Sequence, residues 1–201
     1  MANIKCPKFI NKNNNMTKRN PIILKRKCTA LLIIDIQKRI LDVMHNSKKV
    51  VKNTIKLIEG FKILNIPIYY TEQYPKGLGE TEQSIKEVLA DLKAIQKLSF
   101  SCSGAGNLFK EFKDKGISQI VVTGIESHVC VQQTVLDLLS NGFQVNLAAD
   151  AVSSRNKIDY NTAIRRMSKW GTEVTTTEAI LFELLEVCGT EEFKKISKII
   201  K

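Results

Sequence analysis

The 201 residues, 43% of them hydrophobic, suit one domain with a core of ordinary size and leave a two-domain reading at a disadvantage. No run approaches the about 20 consecutive apolar residues of a membrane span. Five cysteines at irregular spacing (Cys6, Cys28, Cys102, Cys130, Cys188) form neither a CxxC pair nor an even disulfide framework, which points to a reducing, cytoplasmic compartment.

The net charge of +11 is a nucleic-acid signal only until it is located. Residues 1–28 hold Lys5, Lys8, Lys12, Lys18, Arg19, Lys25, Arg26 and Lys27 without one acid, leaving 23 of the 31 basic residues against 20 acidic ones, or +3, on the rest. We read 1–28 as a basic, flexible arm and 29–201 as the folded domain. A mitochondrial presequence and a nucleic-acid-binding decoration are the other readings of the arm. The lack of Ser and of amphipathic periodicity weighs against a presequence, and no apolar core follows as a secretory signal requires.

From Thr29 onward short apolar runs alternate with helical patterns, the rhythm of βαβ units. Ala30–Ile34 is continuously apolar, as expected of a parallel strand buried on both faces, and ends at Asp35. Ser47 is placed to cap a helix with Val51, Ile55, Ile58 and Phe61 on one side. A strand at 68–71 follows Pro67 and leads into the turn-rich loop Tyr74-Pro75-Lys76-Gly77-Leu78-Gly79. A weaker strand covers 94–98, and another covers 120–124, ahead of a helix carrying Val131, Val135, Leu138 and Leu139. Strands at 143–149 and around 173–175, with helices near 159–170, 177–187 and 191–200, complete the series. The expected fold is α/β, a doubly wound, six-stranded and mostly parallel sheet with helices on both faces.

Ligands of such sheets sit outside the carboxyl ends of the strands, where strand order reverses, so polar residues at those ends carry the functional signal. Three are reactive: Asp35 after the first strand, Lys97 at the third, and Cys130 beyond the fourth at a helix start. A helix N-terminus and a nearby ammonium both favour a thiolate, so the Cys130 pKa is expected to fall. Asp35 suits the role of proton acceptor and donor, with Lys97 holding carboxylate and sulfur. In Gly124-Ile125-Glu126-Ser127-His128-Val129-Cys130 a strand-ending glycine and a tight turn can aim backbone N–H groups into the site as an oxyanion hole. Gln37, Tyr74 and Phe100 are candidate pocket residues.

Four motifs stand in order: Leu32-Ile33-Ile34-Asp35-Ile36-Gln37, Thr71 to Gly79, Lys97-Leu98-Ser99-Phe100-Ser101 and Gly124 to Cys130. Together they make the chain, from about Thr29 to its C-terminus, resemble the isochorismatase-like cysteine hydrolases, and most closely the eukaryotic isochorismatase domain-containing branch. The resemblance implies a Rossmann-like doubly wound sheet and an Asp-Lys-Cys triad, which falls on Asp35, Lys97 and Cys130. It also implies a cis peptide near Ile125-Glu126, with the N–H groups of Glu126 and Cys130 facing the substrate oxygen, and a homodimer or higher homo-oligomer. One departure matters: metal-binding nicotinamidases of this superfamily carry Asp-x-His after the second strand, and here Glu72-Gln73-Tyr74 stands there. With only His45 and His128 in the chain, no His-rich metal site can be built, so no metal and no cofactor are expected.

The expected function is therefore metal-independent hydrolysis of a small-molecule amide or related bond through a covalent Cys130 intermediate. A haloacid-dehalogenase-type phosphatase ranks low because Gln37 occupies the place of its second acid. Gly104-Ala105-Gly106 is half of a dinucleotide fingerprint and is rejected. The non-enzymatic alternative is an oligomeric protein that keeps the fold to bind a metabolite, or binds RNA through its basic arm.

Overall fold

The run Thr29–Ile34 forms strand β1 with all six residues buried, as a parallel strand covered on both faces requires. The computed structural model describes residues 19–90 and 92–201. It adds β2 (Ile68–Gln73), β3 (Ile95–Lys97), β4 (Gln119–Ile125), β5 (Gln144–Ser153) and β6 (Glu173–Thr175). The strand order is β3-β2-β1-β4-β5-β6, with every neighbouring pair parallel, so the expected doubly wound sheet is present. The helices are α1 (Lys38–Leu41), α2 (Ser47–Ile63), α3 (Pro75–Leu78), α4 (Gln83–Leu89), α5 (Leu108–Asp114), α6 (Gln132–Ser140), α7 (Lys157–Lys169), α8 (Thr177–Leu185) and α9 (Glu191–Ile200).

Alternation along the strands divides the core in two. Leu31 and Ile33 of β1 pack with Leu57, Ile58 and Phe61 of α2, Ile180 and Leu184 of α8 and Ile196 of α9. Ala30, Leu32 and Ile34 face the other way, toward Phe112 of α5, Val135 and Leu138 of α6 and Met167 of α7. The chain winds outward from β1 through β2 to β3 and then returns to β4 on the opposite side of β1. The order thus reverses between β1 and β4, and the segments leaving these two strands bound the crevice where α/β sheets bind ligands.

Several local expectations shift. Ser47 is the first helical residue of α2 rather than its cap; Asn46, left-handed at φ 54, precedes it with no side-chain cap bond. Asn visits that conformation more readily than Ser does. β5 runs to Ser153, beyond the expected 149, and α4 and α5 were not anticipated because seven residues hold barely two helical turns of periodicity.

Residues 1–18 of the basic arm lie outside the described residues. Residues 19–28 pack against the rest of the described residues. Leu24 is fully buried, and Arg26 bonds both carboxylate oxygens of Glu192 (3.1 and 2.9 Å) and the carbonyls of Leu184 and Leu185. Arg19 pairs with Glu186 at 3.4 Å. Composition marks this stretch as basic; its acidic partners are more than 150 residues away in the chain. Among the described residues no helix is long and apolar enough to cross a membrane.

β1 and β4 approach so closely at their carboxyl ends that only glycine fits at 124. A Cβ there would stand 2.2 Å from the carbonyl oxygen of Ile34, and φ is +139. Gly124→Ala is expected to destabilise the fold by about 3 kcal/mol or more, read as a lowered urea midpoint, because backbone strain and a backbone clash add. An unchanged midpoint would contradict this register.

Candidate active site

Asp35 follows β1 directly, with φ at +51 and no exposed surface. One carboxylate oxygen accepts from the Thr71 hydroxyl at 2.7 Å, and the other from Lys97 Nζ at 2.6 Å. Lys97 ends β3, two strands away; β2 lies between, and its inward residues Thr71 and Gln73 complete the contact. Besides Asp35, the ammonium donates to Gln73 Oε1 (2.8 Å), the Phe100 carbonyl (2.9 Å) and the Ser99 carbonyl (3.1 Å). Four acceptors thus surround three protons on a side chain with no exposure. Such saturation is what an ion pair removed from water requires, since Coulomb attraction alone does not offset desolvation of both charges.

Cys130 lies in a π-helical turn, Ser127–Val131, that runs straight into α6. The peptide Ile125-Glu126 ahead of it is cis. Cys130 is 6% exposed, and its thiol lies within the fields of both the Asp35 carboxylate and the Lys97 ammonium. Asp35, Lys97 and Cys130 are therefore brought together from three separate strand ends.

The expected fall in the Cys130 pKa is not what these surroundings produce. Burial pushes the thiol well above its usual value of 9.0, the negative charge of Asp35 adds to this, and Lys97 only partly opposes them. The ammonium is already neutralised by its own carboxylate, so sulfur at rest keeps its proton beside a base. Alkylation of Cys130 by iodoacetamide in the free protein should accordingly keep accelerating as pH rises past 9, followed by peptide-resolved mass spectrometry. A plateau near neutrality would mean a thiolate at rest.

The remaining candidates fall out differently. The Glu126 carbonyl accepts from the N–H groups of Val129 and Val131, while its carboxylate pairs with Arg155 at 3.1 Å. Gln37, expected in the pocket, is fully buried and committed to backbone: its amide donates to the carbonyls of Gln73 and Gly79 and accepts from Gln73 N–H. It ties the end of β1 to the loop after β2. Tyr74 and Phe100 contribute backbone near Lys97, with side chains about half exposed at 51% and 55%. His128 Nδ1 lies 2.9 Å from Ser154 Oγ. Glu72 is bonded to Thr81 N–H and hydroxyl, and among the described residues no three His, Cys, Asp or Glu side chains gather as ligands.

Sequence reasoning gave Thr71 and Gln73 no role of their own, and read Cys102 as a packing residue. Cys102 is fully buried, its sulfur 3.8 Å from Thr71 Oγ1, and burial pushes its pKa to about 11. The signal available for Thr71 and Gln73 was their polarity at alternate positions of β2.

A six-stranded parallel sheet whose order switches between β1 and β4, with helices on both faces, is a doubly wound α/β fold. Residues 29–179 match the isochorismatase domain, and the chain belongs to the isochorismatase family. It is 38% identical over 174 residues to isochorismatase domain-containing protein 1 of Salmo salar, covering 86% of this chain and 61% of that one, so it spans less than two thirds of that relative's length. Among solved structures, it resembles the MAR1 ribonuclease of Caenorhabditis elegans, with 35% identity, a TM-score of 0.82 and coverage of 88% and 91% of the two chains. The YcaC gene product of Escherichia coli, described as an octameric hydrolase of unknown specificity, shares the fold at a TM-score of 0.82 and 22% identity, covering 90% of this chain and 92% of that one.

Proposed function

We propose that the chain hydrolyses a small-molecule amide or related acyl bond, without a metal, through a covalent intermediate on Cys130. The observation that carries this is the buried Asp35–Lys97 pair at 2.6 Å, whose charges both act on the buried Cys130 thiol.

A protonated thiol is a poor nucleophile, so attack and deprotonation belong to one step: sulfur bonds to the substrate carbonyl carbon as Asp35 takes the proton. The oxyanion that forms is received by the N–H groups of Glu126 and Cys130. Its collapse breaks the bond to the leaving group, which departs with the proton from Asp35 and leaves a thioester. Water then attacks the thioester, giving Asp35 a proton that returns to sulfur as the acid product leaves. Lys97, saturated by four acceptors, stays out of the proton traffic and holds the carboxylate in place. A homo-oligomer in a reducing, cytoplasmic compartment fits this reading; the octameric E. coli relative supports the assembly.

The test is intact-protein mass spectrometry after incubation with a panel of amides and esters. An acyl adduct mapping to Cys130, with turnover indifferent to EDTA, supports the proposal. Turnover with an adduct elsewhere, or turnover abolished by EDTA, removes it.

A second reading, contact with RNA, is favoured by the ribonuclease relative and by the eight basic residues of 1–28. Affinity that falls steeply with salt, and is lost in a chain beginning at Arg19, would assign it to the N-terminal segment rather than to the crevice.

A further inference from the structure

We infer that Asp137, half-buried on α6, is a positioning residue that fixes the Lys97 ammonium relative to the Cys130 sulfur. The inference takes its meaning for turnover from the hydrolase reading, though its geometry stands apart from it.

Two of the four acceptors of Lys97 are backbone carbonyls, of Ser99 and Phe100, in the loop that follows β3. A loop has no ladder to hold its carbonyls still, so their aim depends on what anchors the next few residues. Here the anchor is α6. Asp137 Oδ2 accepts from the hydroxyls of Ser101 (2.5 Å) and Ser103 (2.8 Å), and Ser101 Oγ in turn accepts from Ser103 N–H at 3.1 Å. One turn earlier on the same helix, Thr134 Oγ1 accepts from Cys102 N–H at 2.9 Å. Within the loop, Ser99 Oγ donates to the Ser101 carbonyl at 2.8 Å, and a Cβ at Gly104 would stand 2.3 Å from that same Oγ. The loop is thus folded tightly on itself and clipped at one end to a single carboxylate.

Helix α6 is also the continuation of the turn that carries Cys130, with Thr134 and Asp137 lying four and seven residues beyond the cysteine, on its side of the helix. One rigid element therefore sets both the sulfur, through the chain, and the carbonyls that aim the ammonium, through Asp137. Hydrogen bonds to an ionised acceptor are the stronger kind, and Ser101 is nearly buried, so water does not readily replace this one.

The test needs no substrate. Peptide-resolved alkylation of Cys130 by iodoacetamide is followed against pH in the wild type, Asp137→Ala, Asp137→Asn and Lys97→Ala, with thermal melts alongside. Removing the clip lets Lys97 drift, so Asp137→Ala should alkylate about 10- to 100-fold more slowly at pH 8, with its profile displaced to higher pH in the direction of Lys97→Ala. Asp137→Asn keeps an oxygen acceptor for both serines and should stay within about threefold of wild type. The inference falls if the Asp137→Ala profile coincides with wild type. It also falls if alkylation merely speeds up by one factor at every pH, the mark of a loop that has only opened. Should Asp137→Ala not fold, Ser101→Ala removes the same bond and carries the same expectation. Failure of the hydrolase reading would appear separately, as turnover that survives loss of Cys130 while these profiles still shift.

Discussion

Replacing Cys130 with Ala is expected to lower turnover of an accepted amide or ester by about 10⁴-fold or more while the protein stays folded. The size of the loss follows from the role: without sulfur no covalent intermediate forms, and what remains is the modest gain from binding the substrate against oxyanion donors. Stability should change little, because a thiol in partly apolar surroundings contributes about 1 kcal/mol of packing and its removal leaves no buried charge without a partner. The Asp35 carboxylate keeps both Thr71 and Lys97. Steady-state rates on the best substrate of the panel, with a urea unfolding curve for each protein, give the answer. Substantial residual turnover in a well-folded Cys130→Ala protein would eliminate the nucleophile and, with it, the proposed reaction.

Lys97→Met should be the more damaging change to the fold. Methionine fills much the same volume, yet it leaves the Asp35 carboxylate buried with Thr71 as its remaining side-chain donor. Breaking a buried ion pair from one side costs about 3–5 kcal/mol because the other charge is left uncompensated, a large part of the stability of a domain this size. The reverse change, Asp35→Asn, should be milder. Lys97 still meets Gln73 Oε1 and the carbonyls of Ser99 and Phe100, so its charge keeps three acceptors. Unfolding midpoints in urea decide the matter: equal losses in the two variants would show that the ammonium shell does not compensate the charge as described. Both variants should lose turnover, so the asymmetry lies in stability alone.

This asymmetry explains why the crevice was only partly legible beforehand. Asp35, Lys97 and Cys130 were identifiable because each sits where a strand ends, and strand ends announce themselves by the stop of an apolar run. Thr71 and Gln73 carry no such mark. They lie within β2, and their importance comes from facing β1 on one side and β3 on the other, a relation that exists only once the strands pair Ile34 with Thr71 and Gln73 with Lys97. Gln37 shows a related limit. A polar residue two positions after Asp35 reads as a pocket group, but the chain turns so that its amide meets the backbone of β2 and the following loop.

The sequence by itself determined the architecture: continuous apolar runs require strands buried on both faces, and the helical stretches between them require parallel crossovers. It also marked Asp35, Lys97 and Cys130 as polar residues standing where strands end. Tertiary structure alone decided their state. The Cys130 thiol is raised rather than lowered because burial and a neighbouring carboxylate act on it while the ammonium is already engaged. Likewise, residues 19–28 are held down by acids from the far end of the chain. Charge, burial and partner distance depend on what the fold places nearby, and separation along the chain does not encode that.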